Sequence, residues 1–531
     1  MFANEMMYDL HTLTYDAHED ETDAITKHEK VSIYAPTESD VSSQSADESE
    51  LLTLDATEPD ATQTEPKQTC LLDEIEPRFW SLTVLAALLL TAPLVALTAA
   101  CVIAVQRLFG RREQVGLGPT SNGKVAIVSG GKMTKSFVLI KQLKARGCRV
   151  VLVETSKYWM SASRFSNCVD RFVTVPVPEK EPEAYNKAMV ALAKEENADL
   201  FVPVTSPVAS QYEAAMSAEL PERCFSWSLP LREMEELDDK VVFCAAAVEM
   251  GLPAPTSHRI SSHADVFAFN ARLLDERAAG AKVTKYIFKN LQYDSMHRLD
   301  CFTLPCEPAD LEAYVSDIPI DESRQWTVQT YIEGDEFSTC AVVKDGKLLA
   351  FTDNEASISC FNYVPARNPR LRHWVETFCA KRHLSGIVCI DFIIEADGTP
   401  YAIECNPRAS SNITTFYNSD ALGAALADPA APFRGTAEPL PDAVETYWLF
   451  SEVWAAATKP GLLTQWPSRT AELVRTLRHK KDAYFDAFDP LPFFAHLYLH
   501  LPTLLLRNVR TGNKWAKVDP CIGKMTEENG D

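Results

Sequence analysis

The sequence predicts a mixed α/β protein: a doubly wound half domain leading into a second α/β unit built on antiparallel strands. Three stretches predict it. Lys124-VAIVSGGKMTKSFVLIKQLKARGCRVVLVET reads as strand, glycine turn, helix, strand. Trp326-TVQTYIEGDEFSTCAVV reads as two strands about a tight turn at Gly334. Gly386-IVCIDFIIEADGTPYAIECNPR reads as a hairpin turned at Asp397-Gly398.

At 531 residues the chain exceeds a single ordinary core. Its net charge of −23 is concentrated at one end. Residues 1–78 hold 20 Asp and Glu against only Lys27, Lys30, Lys67 and Arg78. Such a segment, rich in Ser, Thr and acids, cannot bury enough apolar surface to offset its ordering entropy, so a disordered acidic tail is expected over 1–78. The remaining 453 residues carry 54 acidic and 47 basic side chains and offer no basic footprint, which excludes nucleic-acid binding. The 14 cysteines show no metal-ligand spacing, and several fall within strands or helices as small reduced hydrophobes.

Residues 79–106 contain no charged side chain and are dominated by Leu, Ala, Val and Thr. That is ample for a hydrocarbon core of about 30 Å, so a membrane segment is expected there, either a spanning helix or a hairpin turned at Pro93. Arg107, Arg111 and Arg112 begin a basic linker over 107–123 and put the body on the cytoplasmic side.

The half domain is expected over 124–230. Val125–Val128 is an apolar run suited to a parallel sheet, and Gly130-Gly131 opens a helix closed by Gly147. The turns after its strands offer Lys132, beside a helix N-terminus able to hold an anion, and Ser206 as candidate substrate contacts. The second unit is expected over 237–435. Asp239-Lys240 starts a helix stopped by Gly251, Lys285-YIFKN is a strand carrying Lys289, and a helix covers about 370–384. In the 386–406 hairpin, alternation turns Asp391, Glu404 and Asn406 to one face. Two carboxylates and an amide oxygen suit Mg²⁺ shared with substrate phosphates. Lys240 and Lys289 are placed to supply charge to those phosphates, and Glu336 to take ribose hydroxyls. Residues 436–531 read as a helical cap packed on the body, with apolar helices near 447–454 and 493–506, the second interrupted by Pro502; the alternative is a second membrane-surface contact with Arg507 and Arg510 near headgroups.

The order of Asp239-Lys240, the strand lysine 289, QTYIEGDEF and IDF…YAIECNPR resembles the ATP-grasp superfamily over roughly residues 124–435. The resemblance implies a pre-ATP-grasp half domain followed by an ATP-grasp fold that uses ATP with Mg²⁺, Mn²⁺ being the alternative ion. It implies that Gln329, Thr330, Tyr331 and Ile332 flank the adenine, that Glu336 holds the ribose, and that Arg408 meets the transferring phosphate. The glycine-rich flap usual in that superfamily is missing, and Tyr293-DSMHRLD stands in its place. Relatives carry Glu where Gln329 stands, and some ligases carry Arg where Cys389 stands. Arg298 or Arg408 is therefore the expected phosphate partner.

A narrower resemblance, to mycosporine-glycine synthases, rests on SGGKMTK, VETSKYWMSASRFS, PVTSPVAS, YDSMHRLD, IECNPRASSNITTFY and DPLPFF. It implies an enzyme joining an amino acid, glycine, to a small-molecule acceptor, 4-deoxygadusol. A carboxylate–amine ligase making a dipeptide and a membrane-tethered scaffold without activity are the alternatives.

Overall fold

The computed structural model describes residues 71–109, 123–204, 206, 208–291, 300–316, 318–356, 362–458 and 466–527. Arg298 and the stretch replacing the glycine flap lie outside them, as do the acidic tail up to residue 70 and most of the basic linker.

The half domain is a five-stranded parallel sheet of β1 (Val125–Val128), β2 (Arg149–Thr155), β3 (Arg171–Val175), β4 (Leu200–Val202) and β5 (Phe225–Ser226), in the order β3-β2-β1-β4-β5. Chain direction across the sheet reverses between β1 and β4, which opens a crevice beyond the carboxyl ends of those two strands. Gly130 turns there with φ +65°, a conformation open to glycine. The helix begins only at Thr134, three residues later than the double glycine suggests.

A second sheet, in the order β6-β9-β7-β8, is antiparallel: β6 (Ser257–Ile260), β7 (Tyr286–Asn290), β8 (Thr303–Leu304) and β9 (Trp326–Thr330). The third and largest sheet runs β14-β13-β10-β11-β12-β15-β16. It comprises β10 (Asp335–Lys344), β11 (Lys347–Ala356), β12 (Tyr363–Pro365), β13 (Gly386–Ile394), β14 (Pro400–Asn406), β15 (Thr446–Tyr447) and β16 (Lys481–Asp482). The tight turn between β9 and β10 needs Gly334, because a Cβ there would lie 2.1 Å from the Ile394 carbonyl oxygen.

The C-terminal region is more than a helical cap. It gives β15 and β16 to the large sheet and ends in the hairpin β17 (Trp515–Asp519) and β18 (Lys524–Glu527). Strands of two residues carry too little alternation to be read from sequence. The last long helix is interrupted just ahead of Pro502. A π-helical turn at His496–His500 precedes the helix Leu501–Thr511, so Pro502 occupies a first-turn position where its missing N–H leaves no hydrogen bond unmade.

The apolar segment forms one helix, Leu71–Phe109, unbroken at Pro93, so there is no hairpin turn at that proline. Within it, Pro77–Val105 is long and apolar enough to cross a membrane. One stripe of it is not free. Ser81, Val84, Leu88 and Ala99 recur at helical spacing and are buried against the C-terminal region, and Val84 and Leu88 join the core that links half domain, large sheet and C-terminal helices.

Candidate active site

The hairpin β13–β14 builds the acidic centre. Asp391 lies directly opposite Glu404, and Asn406 opposite Cys389, so all three side chains share one face of the sheet. Just beyond Asp391 the register slips by one residue, leaving Ile403 as a bulge on β14. The bulge frees the Ile403 carbonyl, which accepts a hydrogen bond from Gln329 Nε2 at 3.0 Å. Gln329 Nε2 also lies 3.2 Å from Ser257 Oγ, and the side chain is 2% exposed. Gln329 therefore ties the second sheet to the acidic hairpin. Of the four residues expected around adenine, Ile332 is also buried, whereas Tyr331 is exposed beneath the Lys285 ammonium, 4.3 Å from its ring. The Thr330 hydroxyl reaches Thr256 O at 3.4 Å.

Lys240 is set by its cap. Asp239 accepts from the backbone N–H groups of Val241 and Val242, opening the helix Lys240–Glu249 and fixing the first residue of its first turn. From there Lys240 Nζ reaches Glu404 Oε2 at 3.1 Å. Lys289, on β7, adds its charge to the same carboxylate. On the other flank, Asn406 Nδ2 donates to Asp391 Oδ2 at 2.9 Å and to Glu404 Oε1 at 3.3 Å. Arg408 donates to Asn406 Oδ1 and, at 2.8 Å, to Asp238 Oδ1. Glu336 is an exposed residue of β10 near enough to Asp391 to act on its charge.

The electrostatics of this face are uneven. Burial, and after it the Glu404 carboxylate, pushes the Asp391 carboxyl well above its usual range. Burial acts the same way on Glu404, but the ammonium groups of Lys240 and Lys289 outweigh it and hold that carboxyl low. Two half-buried carboxylates on facing residues suit a hard divalent cation, and they fit Mg²⁺. Asn406 fits as a third ligand only after its amide turns over, since Arg408 now holds its oxygen. Among the described residues no group of three or more His, Cys, Asp or Glu has metal-binding geometry.

Sequence reasoning missed several neighbours. Ser338 lies opposite Asp391 on β10 and hydrogen-bonds to it; its position two residues after Glu336 on the same strand was the available signal. Lys135, fully buried on the half-domain helix, donates to the Ala409 carbonyl just past Arg408. Burial, and then the Arg408 guanidinium, lowers its ammonium to about 8.

Lys132 is not the solvent-facing lysine that a plain helix cap would give. Its backbone N–H donates to Glu154 Oε2 at 2.8 Å, its carbonyl accepts from the Tyr484 hydroxyl at 3.1 Å, and its ammonium lies 3.8 Å from the Tyr158 ring centre. Around it is a buried polar cluster drawn from both ends of the chain. His496 stacks on Tyr484 with centroids 4.5 Å apart, and His500 Nε2 lies 2.8 Å from the Gly523 carbonyl oxygen. The hydroxyl of Ser161 and both ring nitrogens of His496 are buried without a partner among the described residues. Ser206 is half-buried beyond β4, its carbonyl accepting from Ala209 N.

A family model described as an ATP-grasp domain matches residues 314–412, a span holding Gln329 to Ile332, Glu336, Asp391, Glu404, Asn406 and Arg408. This match covers one stretch of the mixed α/β fold. No curated protein matches it. Among solved structures it is similar to N5-carboxyaminoimidazole synthetase from Staphylococcus aureus complexed with ADP, at 14% identity and TM-score 0.45 over 61% of this chain and 81% of that one. It is also similar to an L-amino acid ligase from Bacillus licheniformis, at 16% identity and TM-score 0.43 over 58% of this chain and 74% of that one. A third is the biotin carboxylase domain of the Hydrogenobacter thermophilus 2-oxoglutarate carboxylase in complex with MgADP, ADP and bicarbonate, at 13% identity and TM-score 0.44 over 59% and 71%.

Proposed function

We propose that the chain is an ATP-dependent carbon–nitrogen ligase that phosphorylates an acidic oxygen of a small acceptor and replaces the phosphate with the amine of an amino acid. The observation that carries this reading is the Asp391–Glu404 pair with Lys240 at 3.1 Å, set inside the stretch that matches an ATP-grasp domain. Asp391 and Glu404, joined by Asn406, would hold Mg²⁺, or Mn²⁺ in its place; a cation bound there supplies charge neutralisation for triphosphate oxygens. Lys240 and Lys289 supply fixed positive charge from the opposite side, and Arg408 orients Asn406. Tyr331 and Thr330 lie at the open end of β9 for the adenine, and Glu336 is available to the ribose.

The acceptor we favour is 4-deoxygadusol and the amine glycine, giving mycosporine-glycine; the motifs around Ser129–Lys132, Val153–Ser166 and Ile403–Tyr417 support it. The enolate oxygen of that ring is conjugated to a carbonyl, so it behaves as a vinylogous carboxylate. The γ-phosphoryl group moves to the enolate oxygen and ADP leaves. The glycine nitrogen adds to the activated ring carbon, loses a proton, and phosphate departs with the former enolate oxygen. The protein's part is to position the reactants and exclude water, since hydrolysis of the phosphorylated acceptor is the competing loss. Lys132 and Ser206, beyond the carboxyl ends of β1 and β4, are the residues we assign to the acceptor side.

ADP release measured with 4-deoxygadusol plus glycine, and with a panel of carboxylate acceptors, tests this reading. Release dependent on the cyclohexenone supports it. Release only with carboxylates replaces it by a dipeptide-type ligase, and none with either leaves a non-catalytic scaffold.

A further inference from the structure

The long helix Leu71–Phe109 is docked along nearly its whole length. Ser81 Oγ donates to Asn508 Oδ1 at 2.8 Å and accepts from Trp515 Nε1 at 3.1 Å. Arg78 Nε donates to Val509 O at 3.3 Å, and at the far end Arg107 Nε donates to Ala487 O at 2.9 Å. Partner numbers fall as helix numbers rise, so the helix runs antiparallel to the segment 487–509. From Arg78 to Arg107 the docked length is about 44 Å, more than the roughly 30 Å of a hydrocarbon core.

A helix crossing a bilayer on its own is surrounded by lipid on every side. Here one side is committed to protein. Behind Leu491–Thr511 lies the body itself: His496 and His500 turn from that segment onto Tyr484, Tyr158 and Gly523, around Lys132. Sinking the long helix through a bilayer would draw this polar cluster into hydrocarbon as well, together with exposed Arg507 and Arg510. Each arginine at mid-bilayer costs about 2.5–3.5 kcal/mol even on the gentlest scale.

The outer face is mostly apolar, with Thr83 and Thr98 as its exposed hydroxyls. Leu82, Leu89, Leu90, Leu94, Leu97 and Val105 are exposed on it. Thr83 gives its hydroxyl to Phe79 O at 2.8 Å, and Thr91, which also bonds to Tyr498 of the docked segment, gives its own to Ala87 O at 2.9 Å. A protein partner's interface would carry about one hydrogen bond per 100–200 Å², and this face offers few donors or acceptors. Exposed cations flank it, Arg107 at the end of the helix itself and Arg507 and Arg510 on the neighbouring Leu501–Thr511, as suits lipid headgroups.

We propose that the protein attaches to a lipid surface through the outer face of Leu71–Phe109, the helix lying in the plane of one leaflet with the body and the N-terminal segment on the same side. The helix then sits about 5–10 Å into the headgroup–acyl boundary instead of spanning the bilayer. This inference does not depend on the reaction catalysed.

Two measurements on the full chain decide it. In flotation, the protein should rise with phosphatidylcholine vesicles and more strongly when phosphatidylglycerol is added. Leu90→Asp with Leu94→Asp, on the outer face only, should cut the bound fraction at least about tenfold. On sealed vesicles carrying the unaltered protein, external protease should remove the N-terminal segment and the body together. Protection of either one means a spanning helix and overturns the proposal. A chain that stays off vesicles and self-associates overturns it too, giving the face to a second copy.

Discussion

Asp391 and Glu404 stand opposite each other on adjacent antiparallel strands, and a single amide nitrogen, Asn406 Nδ2, bonds to both. The one-residue bulge that follows the pair keeps it in register while turning the Ile403 carbonyl toward Gln329. Glu404→Gln keeps the shape and removes the charge. We expect it, and Asn406→Ala, to lower kcat for ADP release by about 10²–10³ or more with an unchanged circular dichroism spectrum. Turnover near the parent rate in folded Glu404→Gln would remove the metal-site assignment.

By the resemblance, Arg298 falls in the stretch that stands where a glycine flap is expected. A glycine flap wraps phosphates with backbone N–H groups, whereas Asp294, Ser295, Met296 and His297 all carry side chains. A guanidinium presents several donors and a fixed charge at once. Arg298→Ala is expected to lose about 2–4 kcal/mol of transition-state stabilisation and Arg298→Lys to keep part of it. A change in kcat/KM for ATP under about threefold in Arg298→Ala leaves the phosphate role untenable.

Gln329→Leu tests the link between sheets separately from chemistry. It strips the bulged Ile403 carbonyl of its donor inside a buried site, so unfolding free energy should fall by about 1–3 kcal/mol in urea titration. An unchanged midpoint would mean that water or another donor takes over.

His496 and His500 give the protein an acid limit. Burial holds the His500 imidazole down to about 4 and lowers His496 well below its usual value, against about 6.5 in the unfolded chain. The unfolded state therefore binds more protons between roughly pH 6.5 and 4, and stability falls as pH drops through that window. For His500 alone the full loss is on the order of 3 kcal/mol. His496→Phe removes two ring nitrogens buried without partners, so it should raise stability at pH 7 by about 1–2 kcal/mol and flatten the acid slope. Unfolding curves at pH 7 and 5 report both effects, and a parallel acid slope in parent and variant counts against a buried neutral His496.

Deletion of residues 1–112 should leave every proposed ligand in place yet uncover the groove that holds Ser81, Val84 and Leu88. Loss of apolar burial at about 25 cal/mol per Å², and of the Asn508 and Trp515 bonds, predicts a lower melting temperature and aggregation of the truncated protein. Recovery of a monodisperse protein with the parent melting point would show the helix to be dispensable for folding.

Much of the site was legible because it rests on local pattern. Asp391, Glu404 and Asn406 belong to one hairpin, where a period of two fixes which residues share a face, and Lys240 follows a capping Asp at a helix start. Contacts between segments far apart in the chain were not legible. Nothing near Gln329 announces that its amide serves a carbonyl bulged on β14, and nothing near Lys132 announces Tyr484. The strands β15 and β16, two residues each, carry no readable alternation, and the π-helical turn before Pro502 has no local signature.

The α/β order of elements, the acidic hairpin and the apolar character of residues 79–106 each depend on spacing within one stretch of chain, so they can be read along it. What those parts face depends on the packed fold. It docked one stripe of the apolar helix on the C-terminal segment and left the other side bare, and it closed a buried polar cluster from residues more than 300 positions apart. Packing partners are chosen by shape and by the need to satisfy buried polar groups across the whole fold, which local periodicity does not encode.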